Sequence, residues 1–412
     1  MSENVPPSPV STTPPAAPRT NFGRLLIISL GLVAVAAVAY GVVYYQNQVP
    51  AIASTTNQLD QYLKHQGMYA KLAEAYTDAD NDLVADPPTD QTKWVNPEVI
   101  AFSVVGTDDP VEAESRWSDL IKKLANATGK KVVYLAVQPP PMNPNAKPEP
   151  RPGDEGQEPE EPSPVPEGPI AIGTDGQLEA VKAGQLHVTA FNTGLVPRAV
   201  NEAGFVPLYC PADKDGKYAY TMEIIVPAES PIKDLNDLKG KTITFTAMSS
   251  NSGAKAPMVI LKEAAGLLPG RDYDYLMSGD HIASILGICV GKNARIVTNP
   301  ETKEIKLFVP ENLGGKYDVA CVASDLLARE VAAGRIKKEQ YRSIYTSKEF
   351  PPLCFGVPHT LHPELRAKID DVFLNYQFPG TNPTRAKFVK VNYQKDWEYV
   401  REIDQKLTKL KE

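Results

Sequence analysis

From residue 97 onward, apolar and polar positions alternate between strand and helix periods. Residues 99–105 form a β-branched run of the buried-strand type. Residues 110–127 have amphipathic helical spacing and stop near Gly129, and 131–137 read as a second strand. The rhythm then predicts a helix over 174–183, a strand over 186–191 and a helix over 197–203. A strand over 219–226 crosses into a middle unit that runs to about Ser347. Within it, a strand at 242–245 precedes a helix at 254–265, and another helix covers 282–290. Residues 295–297 and 305–309 read as an inserted hairpin around Asn299-Pro300-Glu301-Thr302. The chain returns through 355–358 and closes with helices over 363–376 and 397–410. A start, a middle unit and a return predict two α/β lobes joined by two crossings. Ligands of such proteins sit in the cleft between lobes, at the carboxyl ends of strands.

Three stretches break this rhythm. Residues 25–45 are 21 uncharged, mostly apolar residues, about 30 Å as a helix and enough to span a bilayer core. Arg19 and Arg24 precede the run and the first base after it is Lys64. The positive-inside rule puts residues 1–24 in the cytoplasm as a disordered tail and the rest outside, as a single-pass protein of the cytoplasmic membrane. A cleaved signal peptide is the rival, since Ala37-Val38-Ala39 resembles a cleavage site. Residues 46–96 read as a polar, largely helical stalk followed by an acidic loop. Residues 139–169 hold 12 prolines in 31 positions and predict an exposed polyproline-like insertion that buries no core.

Net charge is −7, and its distribution matters more than its total. Residues 147–167 carry seven acids against two bases, and 78–90 carry five aspartates and no base. The remainder offers no basic patch of the kind nucleic acid requires. In the acidic loop, Asp78, Asp80, Asp82 and Asp86 occupy relative positions 1, 3, 5 and 9. Alternate carboxylates at that spacing can turn toward one hard cation, which implies a structural Ca²⁺. Leu83 stands where such loops carry glycine, and position 12 has no glutamate. The alternative is a solvated acidic turn. Cys210, Cys289, Cys321 and Cys354 are widely spaced, without CxxC or interleaved histidine, so a zinc site is not expected. Apolar neighbours favour small buried thiols, with pairing of two as the alternative in an exported domain.

Two helix starts carry the candidate chemistry. Ser249-Ser250-Asn251-Ser252-Gly253 lies between a strand and a helix, and Ser278-Gly279-Asp280-His281 opens the next helix. Each puts small hydroxyls, a glycine and free N–H groups at a helix N-terminus, where an oxyanion is favoured. Taken singly, each is more often only an N-cap. No Gly-x-Ser-x-Gly elbow, phosphate-cradling GKT or GKS loop or metal triad is present, so an enzyme is not expected.

The order and spacing of these segments resemble the phosphate, phosphite and phosphonate-binding proteins of bacterial ABC transporters. Tyr220 followed by "EIIVPAESPIKDLNDLKGKTITF" is similar to that family's crossing strand and lead-in. "SSNSG", "SGDHIASILGICVGK", "YDVACVASD" and "FPPLCFGVP" follow in the family's order, and "EVIAFSVVGTDDP" and "LIKKLANATGKKVVYL" resemble its opening. The likeness covers roughly residues 97 to 410. It implies a periplasmic binding protein type II-like fold, with lobe 1 at 97–218, lobe 2 at 219–350 and a return at 351–412. It also implies that Ser249, Ser250, Asn251 and Ser252 donate hydrogen bonds to the oxyanion, together with the His281 ring N–H and the Tyr220 phenol. Asn192 and Thr193 would add the other lobe's contacts. Asp325 falls where aminophosphonate binders hold the ligand amine, while a second acid expected near Leu353 is absent. No cofactor is required, an ABC permease is the implied partner, and a small oxyanion is the implied ligand. A membrane-anchored sensor or scaffold using the same fold is the alternative.

Overall fold

The computed structural model describes Leu59, Leu63 and residues 70–104, 110–137, 171–172, 174–298, 302, 305–379 and 385–410. Residues 25–45 and 139–169 lie outside these, so the expected anchor and insertion do too. Among the described residues no helix is long and apolar enough to cross a membrane.

The first sheet opens with β1 (Val99–Val104), followed by helix α1 (Pro110–Thr128) and β2 (Lys131–Val137). β3 (Ala171–Ile172), α2 (Thr174–Lys182), β4 (Val188–Phe191), α3 (Val196–Ala203) and β5 (Phe205–Ala212) continue it. The chain then enters the second sheet through β6 (Tyr220–Pro227) and β7 (Thr242–Phe245). Helix α4 (Ala256–Ala265), β8 (Asp274–Met277) and α5 (His281–Cys289) follow. Next come the hairpin β9 (Arg295–Thr298) and β10 (Ile305–Phe308), then β11 (Val319–Ala323), α6 (Ser324–Ala332) and β12 (Tyr341–Phe350). β13 (Cys354–Pro358) returns to the first sheet, which α7 (Pro363–Asn375), β14 (Lys387–Lys390) and α8 (Glu398–Thr408) complete.

The sheet orders are β14-β5-β13-β4-β1-β2-β3 and β12-β6-β11-β7-β8, with β10-β9 as a separate ribbon. β1 pairs in parallel with β2 and β4, as β7 does with β8 and β11. The two passages between sheets, β5 to β6 and β12 to β13, are the two crossings of a two-lobed α/β protein. Strands β4, β11 and β13 are buried at every position, which explains their unbroken apolar runs. Trp117 meets Phe355 edge-on at 4.9 Å between ring centres, and Phe373 and Phe388 extend this aromatic core.

Several elements depart from the sequence pattern for identifiable reasons. β5 carries Pro207 and Pro211 yet lies between β14 and β13. Prolines normally exclude an inner strand. Here the register shifts between Phe355 and Gly356, and Gly356 admits the close approach, since a Cβ there would stand 2.0 Å from the Val206 carbonyl oxygen. β12 is a polar edge strand with two register shifts, so it lacks the clean alternation that marks a strand. The expected stalk is not a polar spacer throughout: Leu59 and Leu63 are buried in the core. Residues 70–77 are turns, not helix, with Ala73 N–H donating to the Asn201 carbonyl at 2.8 Å and the Tyr76 hydroxyl to the Glu202 carbonyl at 3.1 Å.

Candidate functional site

Strand β7 ends at Phe245, and the chain turns before α4 through one π-helical turn, Asn251–Lys255. The Ser250 side chain caps that turn by accepting from Gly253 N–H at 3.0 Å. A wide turn of this kind is common where backbone and side chains must meet a ligand. Asn251 and Ser252 are each 2 % exposed. Among the described residues neither the oxygen nor the nitrogen of the Asn251 amide has a partner at full hydrogen-bond geometry, and the Tyr220 phenol is the polar group that interacts with it. Leaving a buried amide short of full hydrogen bonds is costly in any fold unless something else completes them.

The second helix start faces the first. Asp280 caps α5 by accepting from Ala283 N–H at 2.8 Å, so its carboxylate serves the helix. His281 Nδ1 accepts from Ala323 N–H at 3.2 Å, and its Nε2 lies 3.2 Å from Ser250 Oγ. With Nδ1 accepting, the proton belongs on Nε2. Burial, aided by the Arg329 charge, pushes the imidazole down to about 4. His281 is therefore a neutral N–H donor at physiological pH. Because Ser250 Oγ already accepts from Gly253 and His281, its own O–H is the group left to donate. Tyr220 opens β6 and donates to Ser252 Oγ at 3.3 Å; burial raises its phenol, which stays protonated.

Opposite them, Asn192 lends its Oδ1 to Leu195 N–H at 3.0 Å, leaving its amide nitrogen as donor. Tyr220, Ser250, Asn251, Ser252 and His281 line one cleft with Asn192, Thr193 and Asp325. Its volume, counted as room for water centres, is about 80 Å³. At roughly 10–15 Å³ per water on this measure, it suits a small ion with a short substituent.

The family model of the periplasmic substrate-binding protein of phosphonate ABC transporters matches residues 168–302 and 312–400, more than half of the chain. The chain belongs to this family.

Three solved structures share the fold. One is a binding protein component of an ABC phosphonate transporter from Pseudomonas aeruginosa, 16% identical, with TM-score 0.50 and coverage of 76% of this chain and 96% of that one. Another is PhnD1 from Prochlorococcus marinus in complex with methylphosphonate, 14% identical, TM-score 0.51, covering 76% and 100%. The third is a Xanthomonas citri protein bound to ATP, 14% identical, TM-score 0.51, covering 77% and 100%. The phosphonate-binding family is the solute-binding component of an ABC transporter, not an enzyme, and needs no cofactor.

Two expected donors have other places in this phosphonate-binding fold. Ser249 is not among the residues lining the cleft. Its carbonyl packs where lobe 1 meets lobe 2, so close that a Cβ on Gly194 would stand 2.4 Å away. Thr193 lines the cleft, but its hydroxyl proton goes to the Pro351 carbonyl at 2.7 Å, so it positions the crossing instead of donating. Just behind, the buried Lys255 ammonium donates to the Gly194 carbonyl at 2.7 Å and to Asp404 at 2.8 Å, tying the Ser-rich loop to the other lobe and α8.

The sequence pattern also missed residues of the cleft. Arg116 and Trp117 reach it from α1, Arg329 from α6 and Arg385 from the approach to β14. The family-like donors are thus neutral, and charged side chains line the cleft beside them. Arg329 had a readable signal, since it follows Asp325 by four positions on one helix. Burial pushes the Asp325 carboxyl up, while Arg385, the Leu326 N–H and Arg329 pull it back.

In the acidic loop, Asp78, Asp80 and Asp82 bring carboxylate oxygens within 4.8 Å of one another. Asp86 is not in that group: its Oδ2 accepts from Ala79 N–H at 2.8 Å and closes the loop. Leu83, where glycine was expected, adopts φ 68°, at a cost of about 1–2 kcal/mol. The four cysteines are all buried thiols.

Proposed function

We propose that the cleft captures a small phosphoryl oxyanion, namely phosphate, phosphite or a short phosphonate, and presents it to an ABC permease. The observation that carries this reading is the buried Asn251 amide, whose nitrogen has no partner at full hydrogen-bond geometry among the described residues, at a helix start shared with Ser250, Ser252 and His281. Hydrogen bonds to a charged group contribute about 1.5–3 kcal/mol each. Ser250, Ser252 and the amide nitrogens of Asn251 and Asn192 keep protons for the ligand. Four such donors supply about 6–12 kcal/mol, enough to reach the roughly 8 kcal/mol of micromolar binding. Isothermal titration of the full chain with phosphate, phosphite and methylphosphonate tests the reading. One-site binding of at least one of them is expected, and silence with all three sinks it.

The same reading holds the binding domain on the outer face of the cytoplasmic membrane through residues 25–45, with the N-terminus inside. The uncharged run and its flanking Arg19 and Arg24 support this. Membrane fractions that keep the chain after alkaline extraction are expected, and release of the full-length chain would argue against it. At the Asp78, Asp80 and Asp82 cluster the reading places a structural Ca²⁺, supported by the grouped carboxylates.

A further inference from the structure

Each of the two crossings carries a cysteine where it meets the first sheet. Cys210 lies two residues before the end of β5, and Cys354 is the first residue of β13. β5 and β13 run antiparallel with Phe355 opposite Tyr209. One residue further along that pairing, Cys354 comes opposite Cys210. Directly opposed residues on such strands stand about 4.5–5.5 Å apart between Cα atoms, with their side chains on one face. A disulfide needs about 4.4–6.8 Å, so the backbone accepts one without rearrangement.

The thiols follow this register. Both cysteines are 0 % exposed, and both are free in the structure. The Cys354 thiol donates to the Phe355 carbonyl at 3.4 Å, and the Cys210 thiol is hydrogen-bonded to Cys354. A thiol is a weak donor and a weak acceptor, so that contact alone stabilises little. Two sulfurs within such reach are placed as the reactants of one bond. Cys289 on α5 and Cys321 on β11 belong to lobe 2. The family is periplasmic, and in exported proteins opposed thiols are held oxidised.

We infer that Cys210 and Cys354 are joined as a disulfide in the exported protein, bracing the two crossings at their lobe 1 ends. The oxidant is, by class, a dithiol oxidase of the exported compartment that carries its own disulfide. One cysteine thiolate attacks that disulfide, forms a mixed disulfide and releases one oxidant sulfur as a thiolate. The other cysteine thiolate then attacks the chain's sulfur in the mixed disulfide, closing the Cys210–Cys354 bond and releasing the second oxidant sulfur. The chain loses two electrons and two protons, and the oxidant ends as a dithiol. Burial, with Cys354 and Asp396 beside it, raises the Cys210 thiol. The exchange therefore belongs to the folding chain, before β5 and β13 close over the sulfurs. The bond also bears on the cleft. Pro352 and Leu353 line it directly before Cys354, and the Pro351 carbonyl accepts from Thr193. Fixing Cys354 to β5 fixes the stretch on which these residues stand.

Thiol counting on the full-length chain, purified after export with free thiols blocked at lysis, tests the inference. In denaturant, two of the four cysteines are expected to be free before reduction and all four after it. Proteolysis without reduction should release the Cys210 and Cys354 peptides as one species, lighter by two hydrogen atoms than their sum. Cys210→Ala should raise the number of free thiols by one, because it releases Cys354, whereas Cys289→Ala should lower it by one. The count is made in denaturant, so a variant that folds poorly still gives an answer. Melting supplies a second readout. A reductant should lower the wild-type melting temperature by at least about 5 °C and leave that of the Cys210→Ala, Cys354→Ala double variant unmoved. Four free thiols before reduction, or a bridge that includes Cys289 or Cys321, overturns the inference. A Cys210–Cys354 bridge whose reduction leaves the melting temperature unchanged overturns its bracing role.

Discussion

The two walls of the cleft are built differently. On the lobe 2 wall, Ser250, Asn251 and Ser252 come from one short turn, and His281 from the next helix start. Those donors are neutral, and neighbouring backbone groups hold them: Gly253 N–H on Ser250 and Ala323 N–H on His281. The wall contributed mainly by lobe 1 is assembled from distant places, with Arg116 and Trp117 on α1, Asn192 after β4 and Arg385 before β14. Its cationic groups sit on separate elements that only the tertiary fold brings together. A ligand's invariant group is best held by a locally wired, rigid donor set. Groups that differ between ligands can be met by side chains drawn from several elements. The comparison assigns affinity for the oxyanion to the first wall and selection among oxyanions to the second.

The largest effect should come from placing charge on the neutral wall. Asn251→Asp puts a carboxylate where the amide donates, and we expect affinity for methylphosphonate to fall at least about a hundredfold, since it replaces a donor to a charged group by repulsion. Calorimetry reads this directly, and a variant that binds normally would remove Asn251 from the site.

Behind the walls, Asp404→Asn tests whether the junction is an independent support. Lys255 is 2 % exposed, and its pairing with Asp404 at 2.8 Å leaves a buried ammonium if broken. A loss of about 3 kcal/mol in urea unfolding is expected. An unchanged unfolding midpoint would mean that the ammonium is satisfied without the Asp404 charge, the Gly194 carbonyl being one of its other partners.

The neutral wall also predicts a pH response. His281 is held down to about 4 in the folded state, against about 6.5 unfolded. The unfolded chain therefore binds more protons between these values, and stability falls as pH drops from 6.5 to 4. Up to about 3 kcal/mol is involved, the free-energy equivalent of the gap between the two values. Comparing the wild type with His281→Gln at pH 7 and pH 4.5 isolates this contribution from His187 and His359, which burial also lowers. The variant should lose less stability on acidification. An identical loss would assign His281 a charged or solvated state.

The smallest effect lies outside both walls. Calcium at ten times its dissociation constant should stabilise the chain by about 1.4 kcal/mol, seen as a rise in the melting temperature. Asp80→Asn should reduce that rise, and a wild type indifferent to calcium would leave the loop a solvated turn.

The contrast between the walls also explains what could be read in the sequence. β1, β2 and β7 and the helix starts at Ser250 and His281 are written in contiguous residues, so periodicity and capping chemistry reveal them. β5 was hidden because Pro207 and Pro211 oppose a strand, and the compensation lies more than a hundred residues away at Gly356. Ser249 looked like a donor because it shares the serine run, but the turn spends its backbone on the contact with Gly194. Arg116 and Arg385 carry no local mark. Each is an ordinary helix or loop arginine until the aromatic core around Trp117 and the β5–β14 pairing turn them toward one cleft.

The central claim is that the Ser250, Asn251 and His281 wall is the oxyanion site, and one titration tests it most directly. Methylphosphonate is added to the full chain and to Asn251→Asp under identical conditions. The account predicts one-site binding at micromolar affinity or tighter to the wild type and a loss of at least about a hundredfold in the variant. Equal binding to both proteins would contradict it.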